Sequence, residues 1–190
     1  MEMPEIELVN LAIDGSKPAI GNLYERYYDR LRNYLHARTG DIHIAEDLTQ
    51  DVFVKVMEAI ARFEQRGISF SAWVFKIARN KIVDGYRRQN TRSKHEENAT
   101  TSASKIDSLP SINLADYVEK RDTLQRIFDA VEKFTPLQRD VFRLRFIGGL
   151  SLADTAQVLE TTVKRVKTRQ SRAIAKLRRM INPNSSNETS

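Results

Sequence analysis

Ser151-Leu152-Ala153-Asp154-Thr155-Ala156-Gln157-Val158-Leu159-Glu160-Thr161-Thr162-Val163-Lys164-Arg165-Val166-Lys167-Thr168-Arg169 breaks into two helices and a turn. Ser151 with Asp154 three residues later is a capping-box-like start, and the short helix it opens runs to Leu159. Glu160-Thr161-Thr162 forms a tight turn. The second helix carries Val163, Val166, Ala173, Ile174 and Leu177 at helical spacing. A short capped helix, a tight turn and a helix of basic and small polar side chains make a helix-turn-helix pattern. In such a motif the second helix presents its N-terminal residues to base edges in the major groove, and flanking cations hold phosphates.

The charge of that second helix is one-sided. Thr161 to Arg179 holds Lys164, Arg165, Lys167, Arg169, Arg172, Lys176, Arg178 and Arg179, eight cations in 19 residues with no carboxylate. Solvated helices usually mix signs, because like charges four apart repel. An anionic partner offsets the repulsion. Lys164, Arg165 and Thr168 are candidate base readers, and Lys167, Arg169 and Arg172 reach either bases or phosphates. Favourable charge at a helix C-terminus is reason enough for Arg178 and Arg179. If about half of the cations meet phosphate, the salt slope of binding is on the order of −4.

Upstream, Thr135-Pro136 reads as an N-cap followed by Pro at the first helical position. Leu137, Val141 and Leu144 share a face, and Gly148-Gly149 stops that helix. Leu124, Ile127, Phe128 and Val131 form an earlier stripe in helical pattern that resumes at about Leu114. Before it, Asn90 to Ser111 has ten Ser, Thr or Asn in 22 residues, with Ile106 and Leu109 as its bulky apolar side chains. So little apolar surface cannot offset the entropy of ordering, which predicts a flexible linker.

The front of the chain is helical again. A short helix is expected around Glu5 to Asp14. Ile20, Leu23, Tyr24, Tyr27, Leu31, Tyr34 and Leu35 form one apolar stripe, broken at Gly40-Asp41. Ile44, Leu48, Val52, Val56 and Ile60 form a second. Glu64 to Ser69, with Gly67, reads as a loop. Ser71 is a candidate cap for a third long helix to about Arg88, with Val74, Phe75, Ala78, Ile82 and Tyr86 inward. The fold class is therefore all-α, two small helical domains on a flexible linker. The expected boundaries are 1–89, linker 90–117, 118–181 and a disordered tail 182–190.

Composition agrees. Across 190 residues, 41% are hydrophobic and 29% charged, with Gly 7 and Pro 5, too few for an all-β fold with frequent turns. Cys is absent, which removes disulfides, thiolate metal sites and Cys nucleophiles and fits a reducing cytoplasm. The longest apolar run is Ala72 to Phe75, far short of a membrane span. The acidic start, Met1 to Glu7, lacks the pattern of a signal peptide. The net charge of +6 permits nucleic-acid binding without arguing for it strongly.

Two further clusters frame the function. Lys76, Arg79, Lys81, Arg87, Arg88, Arg92 and Lys94 oppose one acid, Asp84, and Phe70, Trp73, Phe75 and Tyr86 lie among or beside them. Cations for backbone with aromatics for bases is how single strands are held. Helix-spaced aromatics are also ordinary core, which fits Phe75 and Tyr86 best and leaves Phe70 and Trp73 open. By contrast, Asp41 to Ile60 has five acids, Asp41, Glu46, Asp47, Asp51 and Glu58, and one Lys. Asp47, Gln50, Asp51, Val54 and Glu58 make a face away from the apolar stripe, suited to a protein partner or to solvent. A metal there lacks a His cluster, since His36, His43 and His95 are scattered.

Two strings resemble a known family. Ala45-Glu46-Asp47-Leu48-Thr49-Gln50-Asp51-Val52-Phe53-Val54-Lys55-Val56 followed by Phe70-Ser71-Ala72-Trp73-Val74-Phe75-Lys76-Ile77-Ala78-Arg79-Asn80 resembles sigma domain 2. Leu137-Gln138-Arg139-Asp140-Val141-Phe142 through Gly149-Leu150-Ser151, then Val166-Lys167-Thr168-Arg169 and Arg172-Ala173, resembles sigma domain 4. The order and the linker resemble those of the sigma-70 family, specifically its small extracytoplasmic-function (ECF) group. The resemblance implies a cytoplasmic, non-enzymatic subunit that directs bacterial RNA polymerase core to promoter DNA and associates with the nucleoid when bound. It implies that Asp47, Gln50, Asp51, Phe53 and Lys55 meet the β′ clamp helices. It implies that Lys76, Arg79, Asn80, Asp84, Arg87 and Arg88 bind the −10 element, with loop residues 64–70 near a flipped base. Lys164, Arg165, Lys167, Thr168, Arg169 and Arg172 would read the −35 duplex. A β-flap contact by domain 4 and an anti-sigma factor are further implied partners; no cofactor is indicated. The linker, extended, reaches about 95 Å at ~3.4 Å per residue, enough for two promoter elements about 70 Å apart.

The chain departs from the family at three positions: Glu160 where the turn usually has Gly, Lys164-Arg165 where Gly-Thr is common, and Thr155 where an apolar residue is usual. Lys164 and Arg165 point to altered −35 preference or more non-specific affinity, and Glu160 to weaker phosphate contact nearby. Two other functions compete. A stand-alone helix-turn-helix regulator needs neither the acidic face nor the second basic cluster. A metal-dependent nuclease on Glu46, Asp47 and Asp51 lacks a convergent ligand from elsewhere.

Overall fold

The computed structural model describes residues 3–65, 67–93, 130–131 and 133–181, and within them every regular element is helical. The front module is α1 (Glu5–Ile13), α2 (Lys17–Thr39), α3 (Ile42–Ala59), a 3-10 turn (Ile60–Arg62) and α4 (Phe70–Ser93). The rear module is α5 (Pro136–Phe142), which widens into a π turn (Arg143–Ile147), then α6 (Leu152–Val158) and α7 (Val163–Ile181). Helix α4 extends past residue 89. Residues 94–129, with Leu114, Leu124, Ile127 and Phe128, lie outside the described residues, as does the tail 182–190.

Local chemistry sets the boundaries. Gly40 ends α2 at φ 74°, and the next residue, Asp41, caps α3 by accepting from the backbone N–H of His43 (2.8 Å) and Ile44 (3.1 Å). Glycine takes that left-handed turn without a Cβ penalty, so α2 and α3 fold back as a hairpin. Helix α4 starts earlier than Ser71. Ser69 is the cap: its Oγ accepts from Ala72 N–H (3.0 Å) and its carbonyl from Trp73 N–H (2.9 Å). Ser71 lies buried inside the first turn. Thr135 with Gln138, and Ser151 with Asp154, form reciprocal capping boxes.

The core is built on Tyr27, Leu31, Tyr34 and Leu35 of α2, Val52 and Val56 of α3, and Val74, Phe75 and Ala78 of α4. The expected α3 stripe is only partly inward. Ile44 is half exposed, and Ala45, Thr49 and Phe53 are buried instead. Successive steps of four residues rotate a helix by about 40° each, so a stripe from 44 to 60 winds off the core, and the 45, 49, 52, 53, 56 set holds it. Leu137 likewise faces out while Val141 and Leu144 face in. Phe70 belongs to the core, edge-on to Tyr27 and Phe63, and Trp73 packs half-buried on Phe63.

The two modules share this core. Leu144, Leu150 and Val158 of the rear module join the front cluster. Gly148 makes the approach possible: a Cβ there would lie 2.7 Å from Phe75 Cε1. Arg30 of α2 donates to the carbonyls of Gly148 (3.0 Å) and Gly149 (3.1 Å) while its guanidinium lies over the Tyr27 ring. Arg38 of α2 pairs with Asp140 of α5, both largely buried. Within the rear module, Val141, Ala156 and Val166 pack together, as do Val131, Phe134 and Ala173.

Candidate nucleic-acid interface

The helix-turn-helix forms as its sequence dictates. Helix α6 ends with Thr161 N–H donating to Ala156 carbonyl (2.9 Å), and Glu160 turns the chain at φ 50°, the one non-glycine residue in the left-handed region among those described. Val166 and Ala173 anchor α7 to the rest of the module. That choice of inward side leaves Lys164, Arg165, Lys167, Thr168 and Arg172 exposed and Arg169 half-buried. Thr162 caps the helix loosely, accepting from Arg165 N–H at 3.3 Å. The Thr168 hydroxyl donates to Lys164 carbonyl (3.0 Å) and stays near the helix backbone. Lys176 differs from the rest of the cluster, since its ammonium is bound to the Lys133 carbonyl and holds α7 in place.

Helix α4 presents the second basic surface. Lys76 and Arg79 are half-buried on the side that faces the rear module, Asn80 and Asp84 are exposed, and Lys81 pairs with Asp51 across to α3 (2.7 Å). The Arg79 Nε is buried with no hydrogen-bond partner. The side chains of Tyr86, Arg87 and Arg88 lie outside the described residues, as do Arg92 and Lys94. Lys76 is bound by Glu160 at 2.8 Å. The hydrogen bond and charge of Lys76, with Arg79 nearby, hold the Glu160 carboxyl below its ordinary range.

The loop before α4 meets the rear module too. Gln157 of α6 donates through Nε2 to the Gly67 carbonyl (2.8 Å), and its Oε1 accepts from Ser69 N–H (3.3 Å). The Ser69 hydroxyl donates to Asp154. Gln157 and Asp154 were not legible as partners of the front module, because 85 to 90 residues separate each from its loop contact, and Glu160 is about as far along the chain from Lys76. Glu160 in a turn position suited to glycine is the single hint in the sequence.

The acidic face of α3 stands as expected in part. Asp47, Gln50, Asp51, Val54, Lys55 and Glu58 are exposed. Lys55 binds Glu58 (2.7 Å) and lowers its carboxyl pKa. Phe53 corrects the expectation for that surface: it is 5% exposed and packs on the Tyr24 ring, centroids 4.5 Å apart, so it stands behind the face. Among the described residues no group of three His, Asp or Glu is placed to hold a metal, and no helix is long and apolar enough to cross a membrane.

Comparison with known proteins adds the family. The model of Sigma-70 region 2 matches residues 23–92, and that of Sigma-70, region 4 matches residues 130–179. The chain is 32% identical over 176 residues to the ECF RNA polymerase sigma factor BldN of Streptomyces coelicolor, covering 93% of this chain and 65% of that protein's length. It is 32% identical over 158 residues to the ECF RNA polymerase sigma factor SigX of Bacillus subtilis, covering 83% and 80%. Its fold is similar to that of CnrH, solved in complex with the cytosolic domain of CnrY, with TM-score 0.65 and 28% identity over 95% of this chain and 98% of that one. A region 2 match ahead of the helix-turn-helix disfavours the stand-alone regulator. With both regions matched, in order, on the front and rear modules, the chain belongs to the sigma-70 family of RNA polymerase sigma factors, in its extracytoplasmic-function group.

Proposed function

We propose that this chain binds bacterial RNA polymerase core and directs it to promoters, without catalysis of its own. The observation that carries this is the division of charge between the matched regions. The region 2 module exposes an acidic α3 face and carries the half-buried cations Lys76, Arg79 and Lys81 on α4, and the region 4 module exposes a cationic α7. Asp47, Gln50, Asp51 and Lys55 form the surface for the β′ clamp helices, supported from behind by Phe53. Lys76, Arg79, Asn80, Asp84, Arg87 and Arg88 bind the −10 element, and loop 64–70 receives an extruded base. Extrusion costs a few kcal/mol, so the loop must offer groups that repay it. Lys164, Arg165, Lys167, Thr168, Arg169 and Arg172 read the −35 duplex from the major groove. Leu137 and Phe146, both exposed on the rear module, supply apolar surface for the β flap. CnrH was solved bound to the cytosolic domain of CnrY, which favours a further protein partner here as well, read as an anti-sigma factor. The chain acts where the nucleoid and polymerase are.

Run-off transcription with bacterial core polymerase and genomic promoter fragments tests this. The expected result is promoter-specific transcripts that need the chain. Stable binding of the chain alone to a duplex site, with no transcript from it, would move the function to a stand-alone regulator.

A further inference from the structure

Four polar contacts from one stretch of the rear module, Asp154 to Glu160, meet the surface assigned to the −10 strand. Gln157 offers a donor and an acceptor side by side, and the loop takes both: Nε2–H goes to the Gly67 carbonyl at 2.8 Å, and Oε1 takes Ser69 N–H at 3.3 Å. A nucleobase edge presents the same pairing, as adenine does with its amino group beside a ring nitrogen. One helical turn on, the Glu160 carboxylate sits 2.8 Å from the Lys76 ammonium, where a phosphate oxygen would otherwise go. Both groups lie on the side of the rear module that meets the front one, so they approach together. Glu160 does this from a backbone conformation of φ 50° that glycine adopts at less cost. Its carboxylate therefore gives that position a purpose a glycine would not serve.

We propose that α6 and the turn after it act as an internal surrogate for a single-stranded nucleotide, Gln157 standing for the extruded base in loop 67–69 and Glu160 for its phosphate on Lys76. The free chain is then closed to the −10 strand while α7 stays open to duplex. Opening requires the rear module to leave the front one. A single strand and the α6 surrogate compete for the same groups, and the strand's apparent affinity is reduced by the fraction of chain that is closed. This rests on the assignment of α4 and loop 64–70 to the −10 strand.

The test uses the full chain and a fluorescein-labelled, mixed-sequence single-stranded deoxyoligonucleotide. Gln157→Ala keeps a strong helix former in α6, and Glu160→Gly relaxes the turn, so neither change threatens the fold; thermal melting of each variant checks this. Cysteines placed at the exposed Glu25 and Arg178 of this Cys-free chain carry a fluorophore pair that reports the separation of the modules. The Gln157→Ala/Glu160→Gly double variant should bind the oligonucleotide about tenfold more tightly, with lower energy transfer, and the share of the gain that comes from Glu160→Gly should vanish when Lys76→Ala/Arg79→Ala is added. If the double variant gains nothing, while Lys76→Ala/Arg79→Ala still weakens binding in it, the surrogate is wrong and the −10 surface stands. If the share of the gain that comes from Glu160→Gly survives Lys76→Ala/Arg79→Ala, the −10 assignment of α4 falls and the surrogate with it.

Discussion

The two basic helices, α4 and α7, carry similar chemistry in opposite settings. Helix α7 is held from one side by Val166 and Ala173, and its reading residues face solvent. Helix α4 is buried deeply along Val74, Phe75 and Ala78, and its outward cations meet protein: Lys76 meets Glu160, and Lys81 meets Asp51. Exposed ion pairs of this kind contribute little to stability, so their interest lies in what they occupy. A duplex can approach the rear helix without rearrangement. On the proposed −10 assignment, a melted strand must displace a protein neighbour from the front one. Readiness for duplex and closure to single strand suit a protein that needs its large partner before it opens DNA.

The comparison can be broken or sharpened by three measurements. The largest effect is ionic. Duplex binding by the free chain, carried by α7, should fall about 250-fold for about a fourfold rise in salt, from a slope near −4; a flat response would show that the exposed cations do not meet phosphate. Next, Arg165→Ala should cost about 1–3 kcal/mol at one −35 position if the contact is bidentate. Equal weakening on every sequence, measured across a panel of duplexes, would reassign Arg165 to the backbone. Smallest is the scaffold of the rear helix: Ser151→Ala removes a capping box from α6 and should cost about 1 kcal/mol in a denaturant titration. No change there would mean that the packing of Ala156 and Val158 alone holds α6.

Much of each module was legible because its signals are local. Thr135 and Ser151 cap as their neighbours predict, Gly40 ends α2, and the turn at Glu160 falls where two helices must part. The failures are also physical. The sequence points to Ser71 as the cap and puts Ser69 in the loop; the burial of Phe70 as a helical residue moves the cap to Ser69. Phe53 sits among exposed acids in sequence, yet the helix turns it under Tyr24. The contact between modules was not legible at all. Gly148 against Phe75, Arg30 on the Gly148 and Gly149 carbonyls, and Gln157 on loop 67–69 join residues far apart in the chain. Their pairing has no period or spacing to betray it.

The acidic α3 face is the surface proposed to seat this chain on RNA polymerase. Purified chain and bacterial core polymerase should form a saturable complex, followed by anisotropy of a labelled chain, and Asp51→Arg should abolish it while the variant melts as the parent does. Loss of the exposed Asp51–Lys81 pair removes little stability, so a folding defect would not confuse the result. A parent chain that fails to bind core with no inhibitor present, or an Asp51→Arg variant that binds as well as the parent, would contradict the account.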